Sequence, residues 1–126
     1  MPKSVPPITN GPKPIGAYNV AVEAGGLVFI SGQIPIDPQT NEKVEGDVAV
    51  QAERVLENIG LVLGDLGLGY EDVVKTTIFL ADIADFPVVN ELYARYVGDV
   101  PPARSTIQAG ALPGGFLVEI EAIAAR

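Results

Sequence analysis

The side chains able to do chemistry in this sequence are few, because it contains neither cysteine nor histidine. That removes disulfides, thiolate metal sites, cysteine nucleophiles and every triad built on an imidazole base. Carboxylates, arginine, lysine, tyrosine, hydroxyls and backbone amides are left. The sharpest candidate is Arg104 in Pro101-Pro102-Ala103-Arg104-Ser105-Thr106-Ile107. It lies where a stiff Pro-Pro segment enters a predicted strand, and its planar fork suits bidentate binding of a carboxylate. An exposed arginine, or one paired with a neighbouring acid, is the plain alternative. Ser105 and Thr106 lack an imidazole partner, which speaks against a serine nucleophile.

The last predicted strand carries the second clue. Phe116, Val118, Ile120, Ala122 and Ala124 share one face, while Leu117, Glu119, Glu121 and Ile123 share the other. Two carboxylates set between aliphatic residues suit a face half-buried against something else, such as another subunit. Ordinary surface glutamates are the competing reading. Gly32, after Ser31, can leave a backbone amide open to a ligand, or it is simply a turn. Tyr18 reads as a ring buried in packing or lining a site. Lys75, inside a strand, reads as a snorkelling surface residue before it reads as a Schiff-base lysine.

The elements that must position these residues follow from patterning. The chain has 126 residues, enough for one domain, and 48% of them are apolar. Five prolines in the first 16 residues predict an extended arm. Strands are predicted at Tyr18–Val22 and Leu27–Ser31, with a polar loop from Gly32 to Gly46. Val48, Ala52, Val55, Ile59, Val62, Leu63 and Leu66 trace one helical face, with Asp47 as N-cap and the glycines at 64, 67 and 69 ending the helix. Val73–Ala81 alternates as a strand. Asp85 is predicted to cap a second helix with the stripe Phe86, Val89, Tyr93 and Tyr96, ended by Gly98. Strands at Ser105–Ala109 and Phe116–Ala124 complete the order ββ-α-β-α-ββ. That order predicts an α+β mixed sheet with both helices on one face.

Charge and hydropathy narrow the function. Sixteen acidic against eight basic residues give −8, with no basic patch, which opposes nucleic acid or anionic membrane as a partner. No apolar run is long enough to span a bilayer, and the first residues lack a signal-peptide pattern, so a cytoplasmic protein is expected. Carboxylates alone could still hold a metal, although no calcium-loop spacing of acids is present.

Six stretches together resemble the RidA/YjgF family of imine deaminases. They are Ile15-Gly16-Ala17-Tyr18, Phe29-Ile30-Ser31-Gly32-Gln33-Ile34-Pro35, Val73-Val74-Lys75-Thr76-Thr77-Ile78-Phe79-Leu80, Phe86-Pro87-Val88-Val89-Asn90, Pro102-Ala103-Arg104-Ser105 and Val118-Glu119-Ile120-Glu121-Ala122-Ile123-Ala124. Each is weak alone; in order and at compatible spacing they are specific, and they span nearly the whole chain as one domain, residues 1–126. The resemblance implies a chorismate-mutase-like α+β fold and a homotrimer with its sheets in a central barrel, its helices outside and its sites between subunits. It implies hydrolysis of 2-iminobutanoate and 2-iminopropanoate to 2-keto acids and ammonia, without cofactor or metal. Carried over by position, Arg104 would bind the substrate carboxylate and Glu119 would position the attacking water. Tyr18 would line the pocket with Ser31, Gly32 and Thr106 would offer backbone contacts, and Asn90 would match a recurring asparagine of the second helix. Ala17 stands where many members have proline, Asn19 where many have a small polar residue, and Thr106 where cysteine is common. Two rival readings are a non-catalytic carboxylate sensor with the same pocket and an endoribonuclease or translation inhibitor, which the charge disfavours.

Overall fold

The computed structural model describes residues 2–126. Five strands and two helices follow one another as β1 (Ala21–Ala24), β2 (Leu27–Gln33), α1 (Val48–Asp65), β3 (Val73–Leu80), α2 (Phe86–Val97), β4 (Ala103–Gln108) and β5 (Val118–Ala125). The strands form one mixed sheet ordered β1-β2-β5-β3-β4. Only β3 and β4 pair in parallel, across the α2 connection; the remaining pairs are antiparallel. β5 returns from the far end of the chain to lie between β2 and β3, which makes it the strand on which the others converge.

The helix positions follow local chemistry closely. Asp47 accepts a hydrogen bond from the Val50 N–H, as an N-cap should, and α1 buries Val55, Leu56, Ile59, Val62 and Leu63 against the sheet. Asp85 makes no side-chain cap; Asp82, one short turn earlier, accepts from the Ala84 N–H instead. Pro87 sits in the first turn of α2, where no N–H is needed. Val89, Tyr93 and Val97 are its buried face, with Phe86 and Tyr96 partly covered beside them.

The strand boundaries differ from expectation in ways that matter. The first strand begins at Ala21, not Tyr18. Gly25 and Gly26 both have positive φ, 60° and 79°, and form a two-residue hairpin that pairs Ala24 with Leu27. The strand must therefore abut the turn, and Tyr18 is left in a separate bend, its N–H bonded to the Gly16 carbonyl. At its other end β2 continues through Gly32 to Gln33. Pairing with β5 steps from Ile30↔Ala122 to Gln33↔Ile120, so β2 carries one extra residue there, a β-bulge. Phe116 leaves β5 altogether and packs with Ile36 and Leu112 in a small satellite cluster.

The two sheet faces are unlike. Val28, Ile30, Ile78, Leu80, Val118, Ile120 and Ala124 lie under the helices with at most 3% exposure. The outer face carries Leu27, Phe29, Thr77, Phe79, Glu119, Glu121, Ile123, Ser105 and Ile107, as their register requires. Leu27, Phe29 and Ile107 keep 37%, 44% and 48% of their surface exposed. No helix among the described residues is long and apolar enough to cross a membrane. Ile120, buried on the central strand, tests the core: Ile120→Ala is expected to cost about 2–5 kcal/mol. The cost should read out as a lower urea midpoint at unchanged slope.

Candidate active site

Arg104 lies on the helix side of the sheet. It pairs in register with Thr76, which is buried and whose hydroxyl shares a 2.6 Å hydrogen bond with the Tyr93 hydroxyl of α2. The guanidinium centre rests 5.2 Å from the Phe86 ring centroid and 5.1 Å from that of Tyr93. One Nη donates to Asn90 Oδ1 at 2.7 Å. Two rings and an amide thus fix the planar group from α2, while the Pro101-Pro102 segment fixes its backbone.

No carboxylate answers its charge. Arg54 pairs with Glu57, Arg95 with Glu91 and Arg126 with Glu23, but among the described residues Arg104 has no acidic partner. In a chain with twice as many acids as bases, a half-buried unpaired guanidinium is conspicuous. Two residues along β4, Thr106 points to the same face, opposite buried Ile78. Its hydroxyl oxygen is buried without a hydrogen-bond partner. Arg104 and Asn90 line an open cleft of about 360 Å³ with Tyr93, Val97 and Pro102.

Glu119 is on the other side of the sheet. It pairs with Phe79, whose neighbours Ile78 and Leu80 are the ones facing the helices. Its carboxylate lies directly over the β2 bulge, where a Cβ on Gly32 would overlap it. A side chain at 32 would displace the carboxylate from this position. Burial pushes the Glu119 carboxyl pKa above its ordinary value, and the nearby Glu121 charge pushes it further. Tyr18, Ser31, Gly32 and Glu119 line a second cleft of about 410 Å³, walled by Ile15, Ile34 and Pro113. The Ser31 hydroxyl donates to the Asn19 carbonyl at 2.7 Å, and the Ile15 N–H donates to the Tyr18 hydroxyl at 3.3 Å. Both side chains are thus held by the arm that precedes β1.

The predicted site residues consequently fall into two groups. Arg104, Asn90 and Thr106 sit together; Tyr18, Ser31, Gly32 and Glu119 sit together; the sheet lies between the two sets. One group is a fixed cation with a spare hydroxyl, suited to an organic acid. The other is a proton-accepting carboxylate in a largely apolar cleft. Phe86 and Tyr93, which hold the guanidinium, were legible only as the apolar stripe of a helix, and nothing in their spacing marked them as its platform. Among the described residues no three acidic groups stand together as a metal site.

A five-stranded mixed sheet covered by two helices defines a small α+β protein, with Arg104 in one cleft and Glu119 in another. Residues 8–126 match the family described as Endoribonuclease L-PSP. A "RutC family protein" of Pyrococcus horikoshii is 50% identical over 91% of each chain. The mouse "2-iminobutanoate/2-iminopropanoate deaminase" is 44% identical over 94% of this chain and 87% of its own. Among solved structures, E. coli TdcF with bound serine superposes with a TM-score of 0.90 at 39% identity, covering 98% of both chains. The chain belongs to the RidA/YjgF family, also called L-PSP.

A raised folded-state pKa means that ionising Glu119 costs more in the folded chain than in the unfolded one. Stability from this group is complete below the unfolded carboxyl pKa and declines as pH rises through the folded value. Glu119→Gln is therefore expected to raise the Tm at neutral pH, with the gain vanishing in acid. An equal gain at both pH values in thermal melts would assign the effect to packing instead.

Proposed function

We propose that the protein hydrolyses small 2-imino acids, 2-iminopropanoate and 2-iminobutanoate, to 2-keto acids and ammonia. The observation that carries this reading is the unpaired Arg104 guanidinium, a cation held in place for an anion its own chain does not provide. The name of the mouse relative, a deaminase of these two compounds, supports it. So does the serine of the TdcF structure, whose carboxylate is the kind of group Arg104 suits.

The working site is formed between copies of the chain in a homotrimer. Arg104, Asn90 and Thr106 of one copy meet Tyr18, Ser31, Gly32 and Glu119 of its neighbour. Two things support this: the sheet separates the two sets within one chain, and the outer face leaves Leu27, Phe29 and Ile107 uncovered. Arg104 fixes the substrate carboxylate, and the Thr106 hydroxyl finds its missing partner on the bound acid. Glu119 holds a water against the imine carbon. As the water oxygen bonds to that carbon, Glu119 takes a proton from the water, the C=N electron pair moves to nitrogen, and Glu119 passes the proton on to that nitrogen. The resulting carbinolamine collapses when Glu119, again a carboxylate, takes the hydroxyl proton and delivers it to the amine; the C=O bond forms, C–N breaks, ammonia leaves and Glu119 is back in its starting state. Water is the only co-reactant, so the balance closes without cofactor or metal. A carboxylate with a raised pKa is the stronger base for this work.

RNA cleavage, the activity in the family's description, fits the site less well. A polyanion would approach a surface of net charge −8 with a single fixed cation in the cleft and no basic stripe.

A coupled assay tests the reading: threonine dehydratase releases 2-iminobutanoate, and the protein is expected to speed the appearance of 2-ketobutanoate. Arg104→Ala should lose roughly 2–4 kcal/mol of transition-state stabilisation; unchanged turnover would exclude Arg104 as the clamp. Arg104→Ala and Glu119→Gln, each inactive alone, should regain activity when unfolded and reassembled together. Mixed trimers that stay dead would place both residues in one chain's site. Glu121→Gln removes one cause of the raised Glu119 pKa, so the acid limb of the pH–rate profile should move to lower pH. An unmoved limb would mean that another group sets it.

A further inference from the structure

The chemistry-bearing side chains leave the buried amides Gln51 and Asn58 of α1 unexplained. With half-buried Asp65 they recur every seven residues along the helix, a spacing that brings the three back to one stripe. Gln51 is 6% exposed and Asn58 is fully buried, although both lie on a helix whose other buried residues are almost all apolar.

Each of the three is bonded to a segment outside the helix. Gln51 Oε1 accepts from the Leu117 N–H at 2.9 Å. Asn58 Nδ2 donates to the Ile36 carbonyl at 2.8 Å and to the Ile34 carbonyl at 3.2 Å, while its Oδ1 accepts from Arg54 Nε at 3.0 Å. The Asp65 carboxylate accepts from the Thr9, Asn10 and Gly11 N–H groups at 3.1, 2.8 and 2.9 Å, and from the side chains of Thr9 and Asn10. Burial works to raise the Asp65 pKa, but the bonds from Gly11, Asn10 and Thr9 outweigh it and hold the pKa low.

The three anchored segments are those that build the Glu119 cleft. Leu117 is two residues from Glu119. Ile34 is itself a wall and follows the Gly32 bulge. Thr9–Gly11 begins the Pro12-Lys13-Pro14 stretch that leads to Ile15 and Tyr18. We infer that the Gln51–Asn58–Asp65 row is a positioning ladder: from the helix behind the sheet it sets the separation of the cleft's three walls, although none of its residues lines that cleft. The ladder makes distinct contributions at its two ends. Gln51 acts on Glu119 and so on the chemical step; Asp65 acts on the Tyr18 arm and so on substrate capture.

This rests on the proposed deaminase reading, and the test separates the two. Gln51→Met and Asp65→Ala are compared with wild type in the coupled assay, each at a folded fraction fixed by circular dichroism. Gln51→Met is expected to lower kcat roughly tenfold with little change in KM, and Asp65→Ala to raise KM by a similar factor with kcat nearly kept. Gln51→Glu, which restores an acceptor for the Leu117 N–H, should recover most of kcat. Partial unfolding would lower kcat in both variants and leave KM alone, so that pattern overturns the ladder, as does wild-type behaviour in either variant. Amide exchange gives a readout that needs no turnover. Loss of the Asp65 anchor should speed exchange at Asn10 and Gly11 and extend it to Tyr18; loss of Gln51 should speed exchange at Leu117 and extend it to Glu119. If wild type shows no imine turnover, the deaminase reading falls and exchange decides alone. Exchange changes confined to the bonded amides overturn the ladder whatever the enzyme does.

Discussion

A guanidinium stacked on two rings, bonded to one amide and left without a counter-charge is the constraint around which this structure is arranged. Leaving a half-buried cation unpaired is unfavourable, and an acidic chain has many carboxylates with which to pair it. The other three arginines are paired in that way. β4 projects Arg104 beneath α2, where its contacts are the Phe86 and Tyr93 rings and the Asn90 amide instead of a carboxylate. The rings stabilise the charge through their faces without neutralising it. The guanidinium therefore remains without a counter-charge among the described residues. The unpartnered Thr106 hydroxyl, on the same strand and face, extends the same unfilled requirement by one hydrogen bond.

The Glu119 cleft is arranged on the opposite principle. Its carboxylate needs room and partial burial more than a partner, and both come from the β2 bulge. The extra residue between Ile30 and Gln33 puts Gly32 under the carboxylate, where a Cβ would push the carboxylate aside. Burial and the Glu121 charge then make the proton-bound form easier to reach. A group poised in this way lowers the stability of the folded chain at neutral pH.

Much of the scaffold was legible because its signals are local. The α1 stripe, the Asp47 cap, the alternation of β3 and the two-faced β5 each follow from side chains a few residues apart, and the structure has them. The Arg104 location at a Pro-Pro entry to a strand was legible for the same reason. Longer-range effects were not. Tyr18 falls outside β1 because a Gly-Gly hairpin fixes register from the other end, and Gly32 belongs to a strand because β5, nearly ninety residues later, supplies its pairing. The helix stripe marked Phe86 and Tyr93 as core. Their second role, as a platform for Arg104, exists only once β4 lies beside β3.

The sheet itself explains why the two clefts cannot be one within a single chain. Side chains alternate sides along a strand, and the register Thr76↔Arg104 and Phe79↔Glu119 places the β4 cation opposite an even position of β3 and the β5 carboxylate opposite an odd one. No rotamer change carries either group through the backbone layer. A one-residue slip of β5 would bring Glu119 to the helix side, but it would also turn Val118, Ile120, Ala122 and Ala124 out of the core. Hydrophobic burial on the central strand thus fixes the separation of the two charges. The exposed Phe29 and Ile107 side chains leave apolar surface on the same outer face that bears Glu119.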